Sequence, residues 1–176
     1  MKIIQHEKQI SIEDFNSYMD ISFIEYCKSC SHYGKKWSCT PLPEYPDLNQ
    51  FKRVNLYAMQ IIFSEFERKT FVDGAEIEFT KRLFKIIKSK EHDRLMSIRA
   101  KYPGSMAFAS GDCILCEKCT REINMPCIRP LEMLISLDAL GINIGKITKE
   151  QFGLDLKWNQ NGLPEYYFVT SCLFLK

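Results

Sequence analysis

Seven of the eight cysteines in this chain fall into two short runs separated by a long ordinary stretch, so any fold it adopts has to present those thiols together. The later run, Cys113-Ile114-Leu115-Cys116-Glu117-Lys118-Cys119 followed by Pro126-Cys127, spaces its thiols C-x2-C-x2-C-x7-C. The earlier run, Cys27, Cys30 and Cys39, reads C-x2-C-x8-C. Thiols in steps of two intervening residues converge on one soft metal centre, because a short loop wrapped around the metal turns successive side chains inward. The pattern predicts a metalloprotein with metal-binding loops at about 27–41 and 111–130.

At 176 residues the chain is long enough for one domain with a real core, and a single unit over 1–176 is expected. A net charge of +2 is too small to imply nucleic acid or an acidic membrane as partner. The amino terminus turns polar after Ile3-Ile4, without a signal-peptide core, and no apolar run is long enough to cross a bilayer. A cytoplasmic protein is therefore expected, with thiols kept reduced for metal binding or redox work and not joined in a disulfide framework.

Ile12, Phe15, Met19 and Phe23 recur at helical steps over 11–26, with Ser11 as N-cap, which predicts a helix delivering the chain to Cys27 after a short strand at Ile3-Ile4. Three prolines between Ser38 and Pro46 force an extended or turning exit from the first loop. Residues 53–63 are apolar on both faces, the mark of a central strand in a covered sheet. A capping-box-like start at Asp73-Gly74-Ala75-Glu76 opens a helix reaching about Ala100, ended by Tyr102-Pro103-Gly104. Ser105–Ala109 suits a buried strand stopping at Ser110-Gly111, and Pro130 opens a further helix with Leu131, Leu134, Ile135 and Leu137 on its buried side, closed by Gly141. Glu165–Leu175 reads as a last strand. The expected fold is α+β: a small mixed sheet from residues near 53–63, 105–109 and 165–175, helices packed against it, and both cysteine-rich metal-binding loops at one end.

A C-x2-C-x2-C core wraps three corners of a cubane, and the fourth thiolate typically comes from farther away beside a proline, a role that Cys127 fills after Pro126. Cys113, Cys116, Cys119 and Cys127 thus suffice for one complete [4Fe–4S] cluster, with structural zinc as the alternative because four thiolates also satisfy tetrahedral zinc. Cys27, Cys30 and Cys39 supply three thiols for a second centre. Its fourth ligand is Cys172, His32, or a position left open for water, a substrate or a partner. Cys172 alone in an apolar strand reads equally as a small buried hydrophobe. In the intervening turn, Gly34 permits close backbone approach and Lys35 and Lys36 are placed to offset iron–thiolate charge, or else form a solvated basic turn with Trp37 folded against the protein. Arg129 is either a charge-balancing residue or an ordinary surface arginine, and His6 and His92 read as surface residues. Nucleophile-elbow, phosphate-loop, dinucleotide and H-E-x-x-H motifs do not occur, so hydrolase and nicotinamide-enzyme readings lack support.

The stretches Cys27-x2-Cys30-x2-Tyr33-Gly34-Lys35-x-Trp37-Ser38-Cys39-x-Pro41, Gly111-x-Cys113-x-Leu115-Cys116-x2-Cys119, Pro126-Cys127 and Ser136–Asn143 resemble a bacterial and archaeal domain-of-unknown-function family described as predicted metal-binding proteins. The resemblance covers both cysteine runs and the segment after the second. It implies metal binding through those cysteines, in iron–sulfur form, in small cytoplasmic proteins of mostly anaerobic microbes, and no established reaction. The chain departs from the usual pattern at Thr40, where a proline commonly follows the third cysteine, and at Asp138, where glutamate is usual.

Two roles follow for one or two clusters: electron transfer or a redox-accessory function with a partner protein, or an enzyme whose three-cysteine centre keeps an open position for a small ligand. A zinc-stapled interaction module is the third expectation.

Overall fold

The protein's structure, a computed structural model, describes residues 1–160 and 162–176. In chain order the elements are β1 (Lys2–Ser11), α1 (Ile12–Asn16), α2 (Phe23–Cys27), β2 (Arg53–Ile62), α3 (Glu65–Thr70), α4 (Ala75–Arg99), β3 (Met106–Ala109), β4 (Ile135–Ser136), α5 (Ile144–Phe152) and β5 (Tyr166–Leu175). The strands build one mixed sheet in the order β1-β2-β5-β3-β4, in which only β3 and β4 run parallel. This is the α+β architecture expected, with the two cysteine-rich loops leaving α2 and β3.

Alternation along β2 and β5 separates two covered faces. On one, Val54, Leu56, Phe108, Cys172 and Phe174 are buried against Phe15, Phe51, Leu137, Ile142 and Ile147. Phe174 is the hub, meeting Phe15, Phe108 and Phe51 edge-on at 4.8, 5.0 and 5.6 Å; each such pair contributes about 0.5–1.5 kcal/mol beyond its burial. On the other face α4 supplies Leu83, Ile87 and Leu95 to Met59, Ile61, Tyr57 and Leu173. The Phe174 core also holds Leu42, just past the first cysteine run, and Leu137, just past the second. Burial of these anchors, about 1.5–3 kcal/mol each, holds both loops to the same end of the sheet.

Several elements differ from expectation. The 11–26 helix is two short helices, because Tyr18 and Asp20 leave helical pairing to bond with Asn143 and Gly141. Gly141 makes this crossing feasible: it adopts φ +75°, and a Cβ there would lie 2.9 Å from the Asp20 carbonyl oxygen. Ser11 is the N-cap as expected, its hydroxyl accepting from the Asp14 N–H at 3.0 Å. The helix expected after Pro130 does not form. Leu131 is 81% exposed, and Ser136 N–H and Leu137 N–H donate to the Ser38 and Ala109 carbonyls, pairings that a helix would forbid. The strand at 53–63 lies second in the sheet, and β5 is its middle. Both α3, with a full Ser64/Glu67 capping box, and α5, capped by Asn143 and closed by Gly153, add to the expected elements.

Candidate metal centre

The second cysteine loop begins where β3 stops. Ser110 N–H donates to the Thr170 carbonyl at 2.8 Å, and Gly111, at φ +71°, turns its own N–H to Asp138 Oδ2 at 2.8 Å. A short turn over Thr120–Ile123 then reverses the chain. Thr120 closes it, its hydroxyl donating to the Pro126 carbonyl at 2.8 Å and its carbonyl accepting from Met125 N–H at 3.0 Å. That reversal returns Cys127 to the other three thiols. Cys113, Cys116, Cys119 and Cys127 line one tight cavity of about 20 Å³ together with the apolar Trp37, Leu115, Ile128 and Met133 and the polar Lys36, Ser38, Thr120 and Arg129. Burial pushes the Cys113 thiol above its ordinary range, against a lowering hydrogen bond from the Leu115 backbone and with the nearby Cys116 and Cys127 sulfurs adding to the rise.

The first loop grows out of α2, whose last residue is Cys27. Successive tight turns, Cys30 N–H to Cys27 O and Tyr33 N–H to Cys30 O, both 3.0 Å, carry it around, and Gly34 N–H to Thr40 O at 2.8 Å closes it. Cys27, Cys30 and Cys39 line a second cavity, about 540 Å³ and open to solvent, together with Phe23, Tyr26 and Asp138. Burial raises the Cys39 thiol, offset in part by the Ser38 hydroxyl 3.5 Å from its sulfur.

The loops are joined at their roots. Ser38, fully buried, accepts from Cys113 N–H at 3.0 Å while its hydroxyl also touches Cys39 Sγ. Asp112 lies between the cavities, paired with Lys36 and, from α4, with Lys88 Nζ at 3.2 Å. Burial alone would raise the Asp112 carboxyl, but Lys88 and Lys36 hold it below the usual carboxylate range. Arg121 of the second loop reaches the first, donating to the Lys36, Cys39 and Pro41 carbonyls at 2.8, 3.0 and 2.6 Å. Its guanidinium sits 5.0 Å over the Trp37 ring, whose Nε1–H donates to the Met125 carbonyl.

A family model described as "Predicted metal-binding protein (DUF2284)" matches residues 9–175. The chain belongs to this family. The match spans both cysteine loops and every element from α1 to β5. Neither a curated protein nor a solved structure matched the chain significantly.

In this DUF2284 member all eight cysteines are free thiols. The structure brings the expected residues into two sets, Cys113/Cys116/Cys119/Cys127 and Cys27/Cys30/Cys39, each on its own cavity. Among the described residues no three His, Cys, Asp or Glu side chains converge tightly enough to hold a single metal ion as they stand. Cys172 is fully buried in the Phe174 core and lines neither cavity, which leaves the bland alternative for it. His32 lines the open cavity, but its Nε2 faces Asp112 Oδ2 at 3.7 Å. Lys36 is 16% exposed and committed to Asp112, whereas Lys35 is exposed. Arg129 pairs with Glu132 and donates to the Leu115 carbonyl inside the second loop. His92 is a correction: it is largely buried, its Nε2 donating to the Glu132 carbonyl at 2.9 Å.

Sequence reasoning missed Arg121, Asp112, Lys88 and the structural use of Ser38. Charged residues beside a cysteine run are a weak signal, and nothing in the spacing links Lys88 to Asp112 across 24 positions.

The chemistry of the donors fits a soft metal centre at both places. Thr40 adds a second indication at the open one: directly after Cys39, its side chain is buried and its Oγ1 has no partner among the described residues. A buried hydroxyl left unpaired costs about 1–3 kcal/mol, and an added sulfur acceptor beside Cys39 would satisfy it.

Proposed function

We propose that this protein is an iron–sulfur protein with a redox role, in which Cys113, Cys116, Cys119 and Cys127 hold one [4Fe–4S] cluster and Cys27, Cys30 and Cys39 hold part of a second. The observation that carries the reading is the gathering of four thiols, from a stretch of fifteen residues, onto one enclosed cavity. Tetrahedral zinc, with bonds of about 2.3 Å, draws its sulfurs much closer together than a cubane does, since the cubane's thiolates sit on separate iron corners. Zinc sites more often pair two C-x2-C knuckles, whereas here a third cysteine, Cys119, lies inside the same short loop, and that spacing favours the larger centre.

When bound, such a centre supplies one-electron transfer. The chain's own residues do the rest. Trp37, Leu115 and Met133, all half-buried, limit water at the four-thiol cavity, and lower solvent access favours the less charged state of a bound centre. Lys36 places a cation between the two thiol sets, acting on both Cys39 and Cys113. The free thiols are in keeping with a reducing compartment, where a partner protein would give or take the electrons.

The test is anaerobic purification or reconstitution followed by metal and sulfide analysis. A brown protein absorbing near 400 nm with about 4–8 iron per chain and matching acid-labile sulfide is expected. A colourless protein that keeps zinc alone under the same conditions would overturn the proposal in favour of a zinc-stapled module.

A further inference from the structure

We propose that the open cavity beside Cys27, Cys30 and Cys39 is a binding site for a flat, neutral aromatic heterocycle, whose lone pair fills the coordination position that three thiolates leave unfinished. The inference rests on the iron–sulfur reading and deepens it at one of the two centres.

The first support is the missing ligand. Cys172 is sealed in the Phe174 core away from the three thiols, and His32, though on the cavity wall, has its Nε2 facing Asp112 Oδ2 at 3.7 Å. The four-thiol cavity, by contrast, has a complete donor set.

The second is the wall. Tyr26 and Trp158 line the cavity while 73% and 72% exposed, and Phe23, Tyr33 and Phe168 complete an aromatic surround drawn from three separate parts of the chain. Aromatic faces held at an open mouth do little for the core and are what a planar ligand stacks upon.

The third is charge. Asp112 is already matched by Lys36 and Lys88, whereas Asp138, on the same wall, takes the neutral Gly111 N–H and Ser136 O–H and has no cation within ion-pair distance among the described residues. Together with thiolates this makes a site that disfavours carboxylates and phosphates and accepts neutral rings.

The experiment uses the full chain, reconstituted anaerobically, with iron and sulfide counted before any ligand is added. 4-Phenylimidazole, imidazole and benzoate are then titrated while the electron paramagnetic resonance spectrum of the reduced protein is followed. The expected result is a changed signal from one centre with 4-phenylimidazole, the other centre's signal unmoved, weaker binding of plain imidazole and none of benzoate. Trp158→Ala with Tyr26→Ala, both at exposed positions, should weaken 4-phenylimidazole about tenfold and leave imidazole unaltered. Spectra unmoved by either imidazole at saturating concentration would overturn the open position. Equal affinity for the two imidazoles, insensitive to the aromatic variants, or tighter binding of benzoate would overturn the ligand class. A preparation that holds no iron fails at the counting step, which sinks the underlying reading and this inference with it, and so is told apart from the other failures.

Discussion

The two cysteine loops present the same donor atoms in different surroundings. The later one closes on itself: after a four-residue turn Cys127 comes back to the cavity of the other three thiols, a small space whose remaining wall is part apolar and part polar. The earlier one stays open, with three thiols on a wide cavity edged by aromatic rings and by Asp138. A closed donor set is suited to storing and passing electrons, and an open one to meeting a ligand. The contrast teaches that cysteine count alone understates the difference. Enclosure decides it, and enclosure is set by the residues that come after each run: a returning Pro126-Cys127 in one case, a proline-rich exit in the other.

The sharpest way to break the comparison is to remove one thiol from each loop. Cys116→Ser should cost about four iron per chain, the whole content of one cluster, with the 400 nm absorbance falling in proportion. Cys30→Ser should lower iron by a similar amount and abolish any ligand-sensitive spectrum, while Cys172→Ala leaves iron unchanged; loss of iron in the last variant would return Cys172 to the ligand set.

Asp112→Ala comes next, since it leaves Lys36 and Lys88 facing each other between the loops without a partner. A loss of about 2–4 kcal/mol in urea unfolding of the metal-free protein is expected. The sign of the pH effect follows from the lowered Asp112 carboxyl. A depressed folded value means stability present above the unfolded-chain value and lost as pH falls through the folded one, so the wild type should weaken below about pH 4 and the variant should lack that component.

Ser38→Ala removes the acceptor of Cys113 N–H and the hydroxyl beside Cys39 Sγ. It should cost about 1–2 kcal/mol and disturb the spectra of both centres at once, whereas a change confined to one would show that the loops are not joined through this residue. The smallest effect, of opposite sign, belongs to Thr40→Val. Deleting a buried hydroxyl that has no partner among the described residues should stabilise the metal-free chain by about 1 kcal/mol, measured by the same unfolding curves.

Much of this architecture is legible in the sequence. The close cysteines of each group are legible from spacing, because thiols with two residues between them can turn inward within a loop, whereas Cys39 and Cys127 are returned by the turns that close each loop. The strands at 53–62, 106–109 and 166–175 are legible from runs apolar on both faces, and α4 from its single stripe. The hidden part depends on distant partners. Leu131, Leu134, Ile135 and Leu137 have helical spacing, yet Ser136 and Leu137 spend their N–H groups on Ser38 and Ala109, 98 and 28 positions earlier in numbering, and a local pattern carries no trace of that pairing. The Ser64-x-x-Glu67 box and the Asn143/Gly153 pair, by contrast, are readable capping signals for α3 and α5. Arg121, which clamps three carbonyls of the other loop, has no spacing to betray it.

The position of β5 has a bearing on biosynthesis. It is made after every other strand, yet it lies between β2 and β3, and until it emerges from the ribosome β3 has only the two-residue β4 beside it. The second cysteine loop, which leaves β3, therefore gains its floor only once residues 166–175 are in place.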